Sequence, residues 1–320
     1  MEDTMQDTAK KVAHGLEDVV AAETELSEVD GEHGELIVAG YPAEELAETF
    51  RIEEVLWLLW HGGEPDDRDS REVTDSLGRR RADAFERLRR ARAPRLAEPM
   101  DALRASLALL ESNGDAWEDA LDVVAAIPVA NALWWSKQTG EEPLPPDPDL
   151  SHAADYLRMV TGEQPSEAAT GALNAYLATV SDHGLNASTF TARVIASTQS
   201  DLISSVVGAV GALKGPLHGG APGPVLDMLD DIGAPENAER WIRDELEAGR
   251  RIMGMGHRVY RVRDPRAAVF ESALSRLEAS DETSQRVELA RAVEETAERV
   301  LAEKHPDRDL RANVEFYTAV

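Results

Sequence analysis

Two histidines, an arginine and a glutamate stand out in this sequence by their neighbours. His218 lies between a Pro-Leu pair and a Gly-Gly pair, and His257 follows a Gly-x-Gly turn. Arg266 comes nine residues after His257, directly after a proline, and Glu315 lies among apolar residues near the chain end. Such a set suits proton abstraction beside a carbonyl group: the carboxylate removes the proton, one imidazole stabilises the enolate, and the other protonates the electrophile's oxygen. The guanidinium would bind a substrate carboxylate through two hydrogen bonds.

The elements around His218 are predicted from local patterns. A Val- and Ala-rich run from Leu202 to Leu213 predicts a buried helix directly before it. Gly215-Pro216 predicts the end of that helix, because glycine tolerates a left-handed cap and proline lacks an amide hydrogen. Taken alone, His218 fits an ordinary loop histidine beside a Gly-Gly turn equally well. The stretches around His257 and Glu315 favour a functional role.

Residues 254–266 match in full the pattern Gly-x-Gly-His-x-Val-x-x-x-x-Asp-Pro-Arg, which is a signature of citrate synthases. Segments 181–189, 31–41 and 99–104 are also similar to that family. The chain therefore resembles citrate synthases of the short archaeal and bacterial type, from about Gly15 to its last residue.

The resemblance implies an all-α fold with a large helical domain, a smaller helical domain and a substrate cleft between them. Residues 1–218 would form the large domain and 219–320 the small one. Closure of one domain against the other would exclude water from a reactive enolate. Members of the family work as homodimers, so a homodimer is expected here.

The resemblance also implies a reaction, in which acetyl-CoA, oxaloacetate and water give citrate and coenzyme A. Acetyl-CoA would be a cosubstrate, and neither a resident cofactor nor a metal is expected. The implied roles are oxaloacetate binding by His183, His257 and Arg266, polarisation of the ketone by His257, hydrogen bonding to the thioester oxygen by His218, proton abstraction by Glu315, and coenzyme A contact by Gly254, Met255 and Gly256.

Three departures from the family pattern leave alternatives open. Glu315 stands where the family has aspartate, and a shift of about 1 Å in a catalytic group can cost about 10²-fold in rate. Pro222 stands where the family usually has asparagine, and the sequence ends at Val320, before family helices that supply two further arginines. These departures favour a catalytically impaired paralogue, acting as a ligand-binding or partner subunit with little activity alone and an uncovered apolar surface. The intact histidine motifs favour the enzyme, either citrate synthase or a 2-methylcitrate synthase that uses propionyl-CoA.

Composition excludes several other classes of protein. The net charge of −28, with only five lysines, would repel nucleic acid and anionic membranes. We interpret the acid excess as the solvated coat of a protein that works in concentrated salt, the alternative being a generic acidic surface. Cysteine is absent, which excludes disulfides and thiol chemistry. No apolar run approaches the roughly 18 residues of a membrane span, and the acidic N-terminus is unlike a signal peptide, which predicts a soluble, cytoplasmic protein.

Helical periodicity dominates the remaining sequence. It predicts helices over 53–61, from Met100 to a stop at Asn113, and from Leu121 to Trp135, whereas only Gly34 to Val38 resembles a strand. Residues 141–148 predict an extended connector. An arginine-rich stretch, 67–95, is interpreted as a solvated helix face with ion pairs, the alternative being attraction of a coenzyme A phosphate.

Overall fold

Helices make up most of the computed structural model, which describes residues 22–216, 218–219, 222–256, 264–279 and 285–319. Fourteen α-helices lie in this described part of the chain. They are α1 Ala43–Thr49, α2 Ile52–His61, α3 Asp67–Leu88, α4 Pro99–Leu107, α5 Ala116–Thr139, α6 His152–Thr161, α7 Glu167–Thr179, α8 Ala187–Ala196, α9 Leu202–Leu213, α10 Pro222–Ile232, α11 Ala238–Glu247, α12 Pro265–Ala279, α13 Gln285–Lys304 and α14 Val314–Thr318. The prediction of an all-α fold is confirmed.

A small antiparallel sheet precedes the helices, with strands β1 Ser27–Asp30, β2 Glu35–Val38 and β3 Tyr41–Pro42 in that order. Ser27 pairs with Val38 and Asp30 with Glu35, so β1 and β2 form a hairpin. Gly34, with φ of 73°, lies in its turn and accepts the left-handed backbone without strain. The predicted strand is therefore confirmed as β2.

The first large core is built by α3, α4, α5, α6 and α9. In the middle of it, α5 buries Ala126, Val129 and Leu133, and it is apolar around much of its circumference. Such a helix is stabilised by packing against several neighbours rather than one face. Asp115 caps its first turn by accepting from the backbone N–H groups of Trp117 and Glu118.

The second large core is built by residues of α10, α11, α12, α13 and α14, and Tyr176 and Val180 pack against it. A third cluster joins β2, α1, α2 and α7, and it includes Val269 of α12. Because α12 also packs on α7 and α1, it connects the second core to the rest of the chain. The division into domains at residue 218 stays a prediction.

Helix boundaries agree with the sequence pattern where a capping signal is local. Helix α9 spans Leu202–Leu213, as predicted. The predicted end of α4 at Asn113 is wrong, because the helix ends at Leu107. The segment after it contacts the first turn of α5. There the Asp119 carboxylate accepts from the Ser112 hydroxyl and from the backbone N–H of Asn113.

The arginine-rich segment forms ion pairs. Arg80 contacts Glu118 and Asp122, and the fully buried Arg81 donates from Nε to Asp155 at 2.7 Å. Among the more exposed arginines, Arg89 and Arg90 both pair with Glu86. The interpretation as a solvated face with ion pairs is therefore confirmed for Arg89 and Arg90, but it is wrong for Arg81, whose ion pair is buried between helices. Within the described ranges, no helix has the length and apolar character needed to cross a membrane.

Candidate active site

His218 lies on a tight loop that folds back on the end of α9. Its backbone N–H donates to Gly215 O, and the N–H of Gly219 donates to Leu213 O, both at 2.9 Å. A Cβ on Gly219 would lie 2.6 Å from Leu213 Cδ1 and 2.9 Å from Leu213 O. A side chain would not fit there unless Leu213 moved, so Gly219 permits this close approach.

The His218 imidazole is held by the start of α8. Its Nε2 lies 2.8 Å from Ser188 Oγ and 3.3 Å from the backbone nitrogen of Ser188. Ser188 Oγ also lies 2.7 Å from Asn186 Oδ1. Asn186 is the N-cap of α8, and the same Oδ1 accepts from the backbone N–H of Thr189 at 3.0 Å. A helix cap therefore fixes the serine that contacts the histidine.

These contacts indicate which nitrogen of a neutral His218 ring carries the proton. A backbone N–H is always a donor, so its approach to Nε2 assigns Nε2 as an acceptor. The proton then lies on Nδ1. From that position it can donate to a carbonyl oxygen on which negative charge develops.

His183 lies half-buried in a turn held by the first strand. The Ser27 hydroxyl of β1 donates to the Asp182 carboxylate, and the N–H of Gly184 donates to Ser27 Oγ and to Asp182 Oδ1, both at 2.9 Å. Gly184 has φ of 67°, a left-handed value that suits glycine. The residues on both sides of His183 are thus tied to β1 or to each other.

The Gly-x-Gly segment pairs with the backbone just before Glu315. Met255 forms an antiparallel bridge with Ala312, and the N–H of Asn313 donates to Gly254 O at 3.0 Å. Gly254 has φ of 74°, and a Cβ there would lie 2.9 Å from Phe316 Cβ. Two stretches far apart in sequence are therefore joined as one unit.

Glu315 is a half-buried residue in the first turn of the short helix α14. Asn313 caps this helix by accepting from the N–H groups of Glu315 and Phe316. Its amide nitrogen lies 2.6 Å from Gly256 O and 3.4 Å from Glu315 Oε2. The carboxylate therefore lies beside the backbone that leads toward His257.

Arg266 begins α12 with its guanidinium buried and oriented by Asp264. Nε donates to Asp264 Oδ1 at 2.9 Å and Nη2 donates to Oδ2 at 2.7 Å, which is a two-point pair. Both side chains are buried. Pairing with a substrate carboxylate stays a prediction for Arg266, since part of its donor capacity is used by Asp264.

The predicted site residues fall into two linked groups. His218 joins the segment that contains His183, while Glu315 joins Gly254, Met255 and Gly256. Helix α10 begins soon after His218 and connects the groups, because its Val225 Cγ2 would lie 3.1 Å from a Cβ at Gly254. His257 lies outside the described residues. No cluster of metal-ligating side chains is found in the part of the chain that the structure describes.

A cavity of about 670 Å³ opens beside the Gly-x-Gly segment. Its polar lining is basic although the whole chain is acidic, and it also includes Met255 and Gly256. Arg251 and Arg308 are exposed and have no ion-pair partner among the described residues. The basic and histidine side chains of the lining are Arg250, Arg251, Lys304, His305 and Arg308.

Sequence reasoning did not assign roles to Ser188, Asn313 or the arginines of this cavity. Asn313 carried a local signal, because asparagine two residues before an acidic residue is typical of a helix N-cap. Arg250 and Arg251 lie shortly before the Gly-x-Gly turn and were detectable by proximity. Ser188 had no such signal for its contact with His218, since the two residues are 30 positions apart.

Comparisons with known proteins show what the whole chain is similar to. The family model described as citrate synthase, C-terminal domain, matches residues 15–320. The citrate synthase of Haloferax volcanii is 36% identical over 97% of this chain and 84% of that protein. The 2-methylcitrate synthase of Mycobacterium tuberculosis is 36% identical over 85% of this chain and 71% of that protein.

Solved structures show the same similarity. The structure of a ternary complex of citrate synthase from the archaeon Thermoplasma acidophilum with carboxymethyl coenzyme A and oxaloacetate has a TM-score of 0.83 and 26% sequence identity. The match covers 97% of this chain and 83% of the other. The likeness in sequence and in structure thus extends over nearly the whole chain.

Proposed function

The chain belongs to the citrate synthase family and is an acyltransferase of that kind, and from this premise we propose which of its residues condense acetyl-CoA with oxaloacetate. Water then hydrolyses the thioester product, which gives citrate and free coenzyme A. The observation that carries the proposal is the pairing of the Gly254–Gly256 segment with the backbone before Glu315, beside a basic cavity.

Glu315 and His218 act on the methyl group of acetyl-CoA. The Glu315 carboxylate accepts a methyl proton, and His218 donates from Nδ1 to the thioester oxygen as the enolate forms. The enolate carbon then attacks the ketone carbon of oxaloacetate. His257 protonates the ketone oxygen in this scheme, a role that follows from the family signature of residues 254–266.

Oxaloacetate is bound by His183 and Arg266. The turn that carries His183 is held by β1, and Asp264 orients the Arg266 guanidinium, so the backbone beside His183 and the side chain of Arg266 are ordered before a ligand arrives. Preorganised groups of this kind bind with a smaller loss of side-chain entropy.

Coenzyme A enters through the basic cavity beside Gly256. Its phosphates carry several negative charges, which the net charge of −28 repels as a whole and which the arginines of this cavity attract. Arg251→Gln and Arg308→Gln should each raise the KM for acetyl-CoA and leave the KM for oxaloacetate unchanged. Arg89→Gln, at the residue that directly follows α3, removes the same charge from a side chain that does not line the cavity, and it is the matched control.

The proposal includes a homodimer formed through α8 and α9. None of the residues of α8 is buried, and Val194 is 49% exposed. The two helices pack closely, since a Cβ on Gly208 would lie 2.2 Å from Ile195 Cδ1. An apolar hairpin that exposes its outer face is typical of a protein interface. Light scattering should give a dimer for the wild type and a monomer for Val194→Asp.

We also propose a cytoplasmic location, because acetyl-CoA and oxaloacetate are metabolites of that compartment. The similarity to a 2-methylcitrate synthase supports propionyl-CoA as a second candidate substrate. The test is coenzyme A release in about 2 M potassium chloride, with each acyl-CoA and with or without oxaloacetate. Release from acetyl-CoA should be the faster and should require oxaloacetate. Faster release from propionyl-CoA would favour the alternative, and no oxaloacetate-dependent release from either would contradict the proposal.

A further inference from the structure

We propose that Asn313 is the positioning residue for Glu315. Its side-chain amide contacts both the Glu315 carboxylate and the backbone carbonyl of Gly256, and so holds the carboxylate in place. The inference rests on the proposed function, because it takes Glu315 as the base that removes the methyl proton.

All the hydrogen-bonding groups of the Asn313 side chain are used. Oδ1 accepts from the N–H of Glu315 at 3.0 Å and from that of Phe316 at 3.4 Å. Nδ2 donates to Gly256 O at 2.6 Å and lies 3.4 Å from Glu315 Oε2. The two amide hydrogens therefore point to the Gly256 carbonyl and to the carboxylate. The buried Asn313 side chain thus connects the Gly254–Gly256 segment to Glu315.

Glu315 needs such a contact to act from one position. A glutamate side chain has three rotatable bonds, and holding it in one rotamer costs conformational entropy. Helix α14 has only five residues, so it offers little support of its own. Since a displacement of about 1 Å can cost about 10²-fold in rate, a base that samples several rotamers loses turnover.

Gly256 is a rigid anchor for this contact. Its N–H donates to Arg311 O at 2.7 Å, and a Cβ there would lie 3.0 Å from Leu310 Cδ2. Gly254 is enclosed by Phe316 and Val225 in the same way. The carbonyl that Asn313 contacts is therefore fixed by backbone pairing and by the second core.

Two substitutions separate positioning from helix capping. Asn313→Ser keeps an oxygen that caps α14 but removes both amide donors. Asn313→Asp keeps the shape and the cap, and places an oxygen against Gly256 O and the Glu315 carboxylate. We expect kcat to fall about 10-fold in the first variant and about 10²-fold in the second, with the KM for oxaloacetate unchanged. Asn237→Ser is the matched control, because Asn237 precedes α11 and donates to Ile232 O at 3.0 Å away from this site.

The decisive readout is the primary isotope effect with methyl-deuterated acetyl-CoA. Mispositioning of the base makes proton removal more rate-limiting, so the isotope effect should increase in both Asn313 variants. A fall in kcat with an unchanged isotope effect, or turnover of Asn313→Ser equal to the wild type, would overturn the inference. Glu315→Gln separates this result from the proposed function: if that variant keeps wild-type turnover, the assignment of the base itself is wrong.

Discussion

Nε2 of His218, on the loop after α9, lies 2.8 Å from Oγ of Ser188 at the start of α8. The contact joins residues 30 positions apart, and the N-cap Asn186 fixes its serine side. The imidazole is thus held from one edge, and its other nitrogen is left to donate to a substrate. The helix hairpin of α8 and α9 therefore orients the histidine that we propose as the group that stabilises the enolate.

Ser188→Ala should lower kcat modestly. The hydroxyl contact is lost, but the backbone N–H of residue 188 still reaches Nε2. A neutral hydrogen bond contributes about 0.5–1.5 kcal/mol, which corresponds to about a 2- to 12-fold loss. Steady-state kinetics of coenzyme A release measures this effect. Ser204→Ala, which removes a comparable hydroxyl near the start of α9, is the control. Equal turnover in both variants would show that the Ser188 hydroxyl has no part in catalysis.

Gly219→Ala should reduce turnover more strongly. The added Cβ would lie 2.6 Å from Leu213 Cδ1 and 2.9 Å from Leu213 O, so the backbone next to His218 must shift. A displacement of about 1 Å predicts about a 10²-fold lower kcat. At Gly223, by contrast, a Cβ meets no atom within 4 Å. Gly223→Ala should therefore keep wild-type kinetics, and equal behaviour of the two variants would refute the steric explanation.

The buried His152 should make the folded protein less stable in acid. Burial and the nearby charge of Arg81 lower the pKa of this histidine from 6.5 to about 3. The folded state disfavours the charged ring. The stability that the neutral His152 contributes is therefore fully present above the unfolded pKa, and it is lost as pH falls from about 6.5 to about 3. His152→Gln, which removes the titration, should flatten the dependence of the free energy of unfolding on pH in this window. Chemical denaturation at several pH values tests it, and parallel curves for both proteins would exclude His152 as a cause.

Salt should stabilise the fold. The net charge of −28 opposes compaction, and screening shortens its reach from about 10 Å at 0.1 M to about 3 Å at 1 M ionic strength. The exposed ion pairs among Glu239, Arg243, Arg299 and Glu303 act in the opposite direction, but each contributes little. We therefore expect the Tm to increase between about 0.1 M and about 2 M potassium chloride. An unchanged Tm would show that the acidic surface is not an adaptation to salt.

Local patterns predicted much of the fold. The bounds of α9 and the strand β2 followed from apolar runs and from glycine and proline signals. The end of α4 did not, because Leu110 keeps helical spacing and packs on the first core although its backbone has left the helix. The Asp119 carboxylate instead holds the segment that follows, through Ser112 and Asn113.

Local sequence patterns likewise predicted part of the candidate site and missed the rest. Motifs in the sequence identified His218, Arg266 and Glu315 as candidates, since their neighbours are unusual. Two contacts made by the neighbours of these residues depend on the folded backbone: Ser188 contacts His218 from 30 positions away, and Asn313, although close to Glu315 in sequence, donates to Gly256 O from 57 positions away. Periodicity carries no information about such pairs.

The central claim is that Glu315 removes a methyl proton of acetyl-CoA while His218 stabilises the enolate. The most direct measurement is oxaloacetate-dependent coenzyme A release in about 2 M potassium chloride by the wild type, His218→Ala and Glu315→Gln, with circular dichroism to verify folding. We predict measurable turnover for the wild type and a loss of at least about 10²-fold in each variant, the lower range for loss of general acid–base catalysis. Wild-type turnover in either folded variant would contradict the account.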